Sequence, residues 1–138
     1  MQTGSAGLLG RAGFNNILLM KTLLHENIYK IVTGPLWTRA QNENHVPGMP
    51  IDEADGYMHF STKDQLLETL RLYFSGQSGL EILVVNTKDV AKDLKWEVSR
   101  GGALFPHLHA PLRRELVHRH ATIAVDDNGN CQLPEGLL

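Results

Sequence analysis

The sequence predicts an α+β domain in which a mixed or antiparallel split β-sheet packs with two main helices. Three observations predict it. Short β-branched and aromatic runs recur as "NIYKIV" (27–32), "YMHF" (57–60), "LEILVVN" (80–86) and "LKWEVS" (94–99). Two stretches, "TGPLWTRAQNE" and the run after Ser61, change to helical spacing. Both helices come early and several strands late, with connections too short for repeated βαβ crossovers.

Residues 1–26 hold two Leu-rich patches, but no apolar run approaches the roughly 20 residues that a membrane span needs. A single Arg, a weak apolar region and no clear small-residue cleavage site also make a poor secretory signal. We read 1–26 as an extension, mobile or partly packed, with Met20 as an alternative start, and 27–138 as one domain. After the strand at 27–32, Pro35 opens a helix with Trp37, Ala40 and Leu36 on its buried side. The polar, Pro- and Gly-rich "NENHVPGMPIDEADG" reads as a loop ending in a turn at Asp55-Gly56, before the strand 57–60.

Ser61 then reads as the cap of the second helix, with Asp64 at its positive end. Leu66, Leu67, Leu70, Tyr73 and Phe74 give that helix an apolar core stripe, and Gly76 and Gly79 end it. "LEILVVN" is a buried strand, and "TKDVAKDL" a turn or short helix. In "LKWEVS", Leu94, Trp96 and Val98 alternate with Lys95, Glu97 and Ser99. Beyond the loop "RGGALFPHLHAPLRR", "ELVHRHATIAV" reads as a long strand, "DDNGN" as a hairpin turn and "CQL" as the returning strand.

The 138 residues fit one compact domain, and 42% hydrophobic with 20% charged residues is ordinary for a globular protein. A net charge of -2 gives no global pull toward DNA or an anionic membrane. The single cysteine, Cys131, allows no intrachain disulfide and fits a reducing cytoplasm. No basic partner in its own segment activates that thiol as a nucleophile.

Candidate chemistry gathers in three places. On a strand, Tyr57, His59 and Ser61 share one face and Met58 and Phe60 the other, so the apolar pair enters the core and His59 lines a surface or cleft. A capped helix beside a hydrogen-bonded histidine is the plainer reading. In "KWEVSRGGALFPH", Glu97, Arg100 and His107 bring a carboxylate, a guanidinium and an imidazole together around a flexible Gly101-Gly102 loop. They suit an anionic or sugar-like ligand, or a purely structural pair. Finally, His107/His109 and His118/His120 have period-2 spacing, which is metal-ligand geometry if the pairs converge. No acidic residue recurs at ligand spacing, and exposed strand histidines account for His118 and His120.

Together, "IYKIV…W", "PIDEADGYMHFST…QLLETLRLYFSGQ" and "LKWEVSRGGALFPHLHAPL" resemble the DUF952 family over about residues 28–125. The resemblance implies an ADP-ribosyltransferase-like fold, a split β-sheet around an NAD cleft. "MHFST" is similar to the Val-His-Leu-Ser strand of RNA 2'-phosphotransferases, which share that fold. On that likeness His59 faces the cleft, Ser61 and Thr62 start the supporting helix, and Glu97 or Arg100 approaches from a later strand.

The implied site is catalytic through Glu97 and His59 and binds ligand through Tyr29, Trp37, Ser61, Arg100 and His107. Its partner is a small molecule or nucleotide, with NAD the implied substrate of a transferase or glycohydrolase and no resident cofactor or metal certain. Such transferases carry His or Arg followed by Gly on the first strand, and Ile28-Tyr29-Lys30-Ile31-Val32 does not. A non-catalytic binding module is therefore the alternative, and a histidine-based metalloprotein the third reading.

Overall fold

Apolar residues occupy both faces of the first strand, β1 (Asn27–Thr33), which places it inside the protein. In the computed structural model, which describes residues 19–138, Ile28 and Val32 enter one hydrophobic cluster, and Tyr29 and Ile31 enter another. β4 (Leu80–Asn86) divides the same way, with Leu83 and Val85 in the first cluster and Leu80, Ile82 and Val84 in the second. β1 pairs with β4 and β4 with β8 (Val117–Ile123), in the order β1-β4-β8. A second sheet of order β3-β6-β5 is built from β3 (Met58–His59), β5 (Leu94–Val98) and β6 (Leu104–Leu108). A small ribbon pairs β2 (His45–Val46) with β7 (Leu112–Arg113).

The two larger sheets meet where Tyr29 and Ser61 exchange both backbone hydrogen bonds at 2.9 Å. Every strand pairing among the described residues is antiparallel, so of the two sheet types expected the antiparallel one is found.

Helix α1 (Gly34–Asn42) starts as expected, with Pro35 in its first turn and the Leu36 N–H donating to Thr33 Oγ1 at 3.4 Å. Its buried residues, Trp37 and Ala40, seal the first cluster. The stretch expected to be loop up to Asp55-Gly56 contains a second helix, α2 (Pro50–Asp55). Six residues are too few to show periodicity, and its cap comes from within. Asp52 Oδ2 accepts from the Met49 N–H at 2.7 Å, and Gly56 ends the helix at φ 83°.

Helix α3 (Lys63–Phe74) is capped one residue later than expected, by Thr62, whose N–H donates to Gln65 Oε1 at 3.0 Å. Ser61 is held instead by the inter-sheet bridge, and its hydroxyl meets Thr69 Oγ1 at 3.0 Å. Of the predicted stripe, Leu66 and Leu70 are fully buried and Phe74 is partly so. Leu67 (52% exposed) and Tyr73 (59%) are not core, because α3 turns only one narrow face to the second cluster.

Residues Thr87–Asp93 form 3-10 turns. Val98 is 69% exposed, because β5 is an edge strand and only Trp96 of the alternating trio is fully buried. The last strand is shorter than expected, since residues Arg114–Leu116 form a 3-10 turn. "DDNGN" does turn the chain, but "CQL" returns as no strand. The C-terminal segment instead lays Leu133 and Leu137 on the second cluster. Of the expected extension, residues 1–18 lie outside the described residues. Residues 19–24 are helical, and Trp96 Nε1–H donates to Thr22 Oγ1 at 3.1 Å. No helix among the described residues is long and apolar enough to cross a membrane.

Candidate functional site

A cavity of about 390 Å³ opens beside the Tyr29–Ser61 joint, walled by β1, β3, β6, α3, the start of α2 and the loop after β5. Tyr29, His59, Ser61, Arg100 and His107 all line it. Glu97 does not, and reaches the wall only through His107. Trp37 is not brought there at all. It is held in the first cluster, between the His120 ring at 4.8 Å and the Arg114 guanidinium at 4.7 Å.

The polar wall is organised by a residue that the sequence reading passed over. Asp52 is buried, and its Oδ2 lies 2.7 Å from Lys30 Nζ, itself buried and on the cavity wall. Its Oδ1 accepts from His59 Nδ1 at 2.8 Å and from the His59 backbone N–H at 2.9 Å. Burial alone would push the Asp52 carboxyl up, but the His59 hydrogen bond and the Lys30 ammonium outweigh it and hold the group at about 2. Burial pulls the Lys30 ammonium below the ordinary lysine range, and Asp52 pulls it back.

Asp55, one turn further along α2, places Oδ2 3.0 Å from His59 Nε2. Both ring nitrogens of His59 thus face carboxylates, and both contacts are hydrogen bonds only when the ring carries two protons. One signal in the sequence pointed here. A lysine inside a strand buried on both faces demands a counter-ion, although nothing local says which acid supplies it.

Beside this group lies a second one. His107 Nδ1 and His109 Nε2 both donate to Glu97 Oε1, at 2.7 and 3.0 Å, and the Tyr57 ring stacks on them at 4.4 and 4.8 Å. Hydrogen bonds from His109 and His107 hold the Glu97 carboxyl below the usual carboxylate range. Burial pushes the His107 imidazole down, Glu97 opposes it, and the neighbouring His59 and His109 add to the lowering. Neutral His107 therefore keeps its proton on Nδ1, toward Glu97, and leaves Nε2 as an acceptor.

This has a pH consequence. The folded-state value lies below the ordinary 6.5, so an unfolded chain takes up the proton first. The stability contributed by neutral His107 is complete above about pH 6.5 and declines as pH falls through that value. The melting temperature is expected to drop between about pH 7 and 5, and to drop less steeply in His107→Gln, as read by thermal denaturation.

The two histidine doublets do not converge. His107 and His109 serve Glu97, whereas on the other sheet His118 bonds Asn27 at 2.9 Å and His120 bonds Glu81 at 2.6 Å. Among the described residues, no group of three or more His, Cys, Asp or Glu is placed to hold a metal ion.

The profile of the family described as "Protein of unknown function (DUF952)" matches residues 31–120. The chain belongs to the DUF952 family. Its fold is shared by protein CC0527 from Caulobacter crescentus, whose crystal structure is 42% identical, with a TM-score of 0.72 over 77% of this chain and 93% of that one. The solution structure of CC0527 agrees, at 41% identity and a TM-score of 0.67 over 75% and 90% of the two chains. No curated protein matches significantly. In this DUF952 chain the family match leaves out Asn27–Lys30 of β1 and takes in all the cavity residues from His59 to His107.

Proposed function

We propose that the cleft binds NAD or a related nucleotide and that the protein acts as a transferase or glycohydrolase at its glycosidic bond, within an ADP-ribosyltransferase-like fold. The observation that carries this reading is the convergence of two carboxylate-bonded imidazoles, His59 and His107, on one cavity at the joint of a split sheet. His59, held through both ring nitrogens by Asp52 and Asp55, stands fixed at the cavity wall. His107 offers Nε2 as an acceptor for the proton of an attacking water or hydroxyl. As the ribose C1'–nitrogen bond breaks, the electron pair leaves with neutral nicotinamide. The incoming oxygen bonds C1', and its proton passes to His107. Glu97 acts through His107, fixing its tautomer and stabilising the imidazolium that forms.

The test is ligand-observed NMR of NAD with the purified protein. Free nicotinamide is expected to accumulate, with Glu97→Ala slowing its release about 10²–10³-fold. No perturbation of any nucleotide signal by folded protein would sink the reading.

A second reading, a non-catalytic nucleotide-binding module, is favoured by the placement of Glu97 off the cavity wall and by the absence of a His/Arg-Gly pair on β1. It predicts broadened ligand signals without released nicotinamide.

A further inference from the structure

Most basic side chains around the cavity already face a carboxylate. Lys30 faces Asp52, His59 faces Asp52 and Asp55, and His107 and His109 share Glu97. Arg100 differs. It lines the cavity, donates through Nη1 to Thr69 Oγ1 at 3.2 Å, and forms no ion pair among the described residues. Glu68, whose carboxyl feels the Arg100 charge, is itself held by Arg71 at 2.7 Å. The guanidinium sits 4.8 Å from the Phe105 ring and 5.8 Å from the Tyr73 ring. Aromatic faces hold a guanidinium by cation–π attraction, and they offer no acceptor for its remaining N–H groups.

A second observation comes from Thr69. Its one hydroxyl proton goes to the Gln65 carbonyl at 3.0 Å, so it can only accept from Arg100 and from Ser61 Oγ. Ser61 therefore spends its proton on Thr69 and turns only lone pairs toward the cavity. A ligand group meeting Ser61 must donate, as a ribose hydroxyl does.

The geometry points to a nucleoside monophosphate, with its single phosphate on Arg100 and a sugar hydroxyl on Ser61, as the preferred ligand over a dinucleotide. This rests on the nucleotide reading above and narrows it. A pyrophosphate would bring a second charged phosphate, and among the described residues no second unmatched cation lines the wall. A cavity of about 390 Å³ also stands at the small end of ligand sites.

Calorimetric titration with nicotinamide riboside, nicotinamide mononucleotide and NAD tests the ranking. The mononucleotide is expected to bind at least about tenfold tighter than either of the others, which is what a charge-assisted guanidinium–phosphate contact supplies. In Arg100→Ala the preference for mononucleotide over riboside should collapse toward unity, and Arg100→Lys should retain only part of it. NAD binding more tightly than the mononucleotide would overturn the inference and leave the nucleotide reading intact. So would an undiminished phosphate preference in Arg100→Ala. Should that variant fail to fold, the wild-type ranking and the lysine variant decide. Binding of none of the three would overturn both.

Discussion

Asp52→Ala is expected to destabilise the protein by about 3–5 kcal/mol, the usual cost of leaving one member of a buried ion pair without its partner. The Lys30 and Asp52 side chains are only 3% and 2% exposed, so water cannot take over when the carboxylate goes. The loss extends beyond the ammonium. Asp52 also accepts from the Met49 N–H that opens α2 and from both the ring and the backbone of His59. One substitution therefore frees the start of a helix and an imidazole at the cavity wall. Urea denaturation measures the effect, and a cost under about 1 kcal/mol would mean that Lys30 finds another acceptor.

The double substitution Lys30→Met with Asp52→Leu separates stability from function. Well-packed apolar replacements of buried ion pairs are often neutral or stabilising, so the double variant should recover much of the lost stability. It cannot restore the acceptor for His59, and ligand binding should stay impaired. The pair is then better explained as a device that fixes His59 than as a source of stability. Acid probes the Asp52 carboxylate by another route. The Asp52 carboxyl is depressed to about 2 from its ordinary 3.8, so its contribution is complete above about pH 4 and fades as pH falls toward 2. That contribution amounts to about 2 kcal/mol.

The strands were legible where the chain states its own environment. Apolar runs on two faces mark β1 and β4, and period-2 alternation correctly puts Met58 and Phe60 inward with Tyr57 and His59 turned away. Of the residues expected at the site, Tyr29, His59, Ser61, Arg100 and His107 line one cavity, whereas Trp37 and Glu97 do not. What stayed hidden depends on partners distant in sequence. Asp52 looks like an ordinary loop acid until the β1–β3 joint brings Lys30 beside it, and α2 hides in a stretch rich in Pro and Gly. Glu97 was placed on the polar face of its strand, but its two histidine partners follow from the β5–β6 pairing, in which Lys95 lies opposite His107 and Glu97 opposite Phe105.

Helix α3 gives the sharpest contrast, because its sequence stripe contains residues of equal hydrophobicity and opposite fate. Leu70→Ala is expected to cost about 2–5 kcal/mol, since the side chain is fully buried in the second cluster and its removal leaves a cavity that the neighbouring strands cannot close. Leu67→Ala, at a site 52% exposed, should stay within about 0.5 kcal/mol of the parent. Parallel urea titrations of the two variants decide it. Equal, large losses would mean that a partner covers the outer face of α3 in solution. Tyr73, 59% exposed on the other flank of the helix, contributes its ring to the Arg100 slot at the cavity wall. An exposed ring there adds little to the core and instead helps to hold the Arg100 guanidinium at the cavity wall.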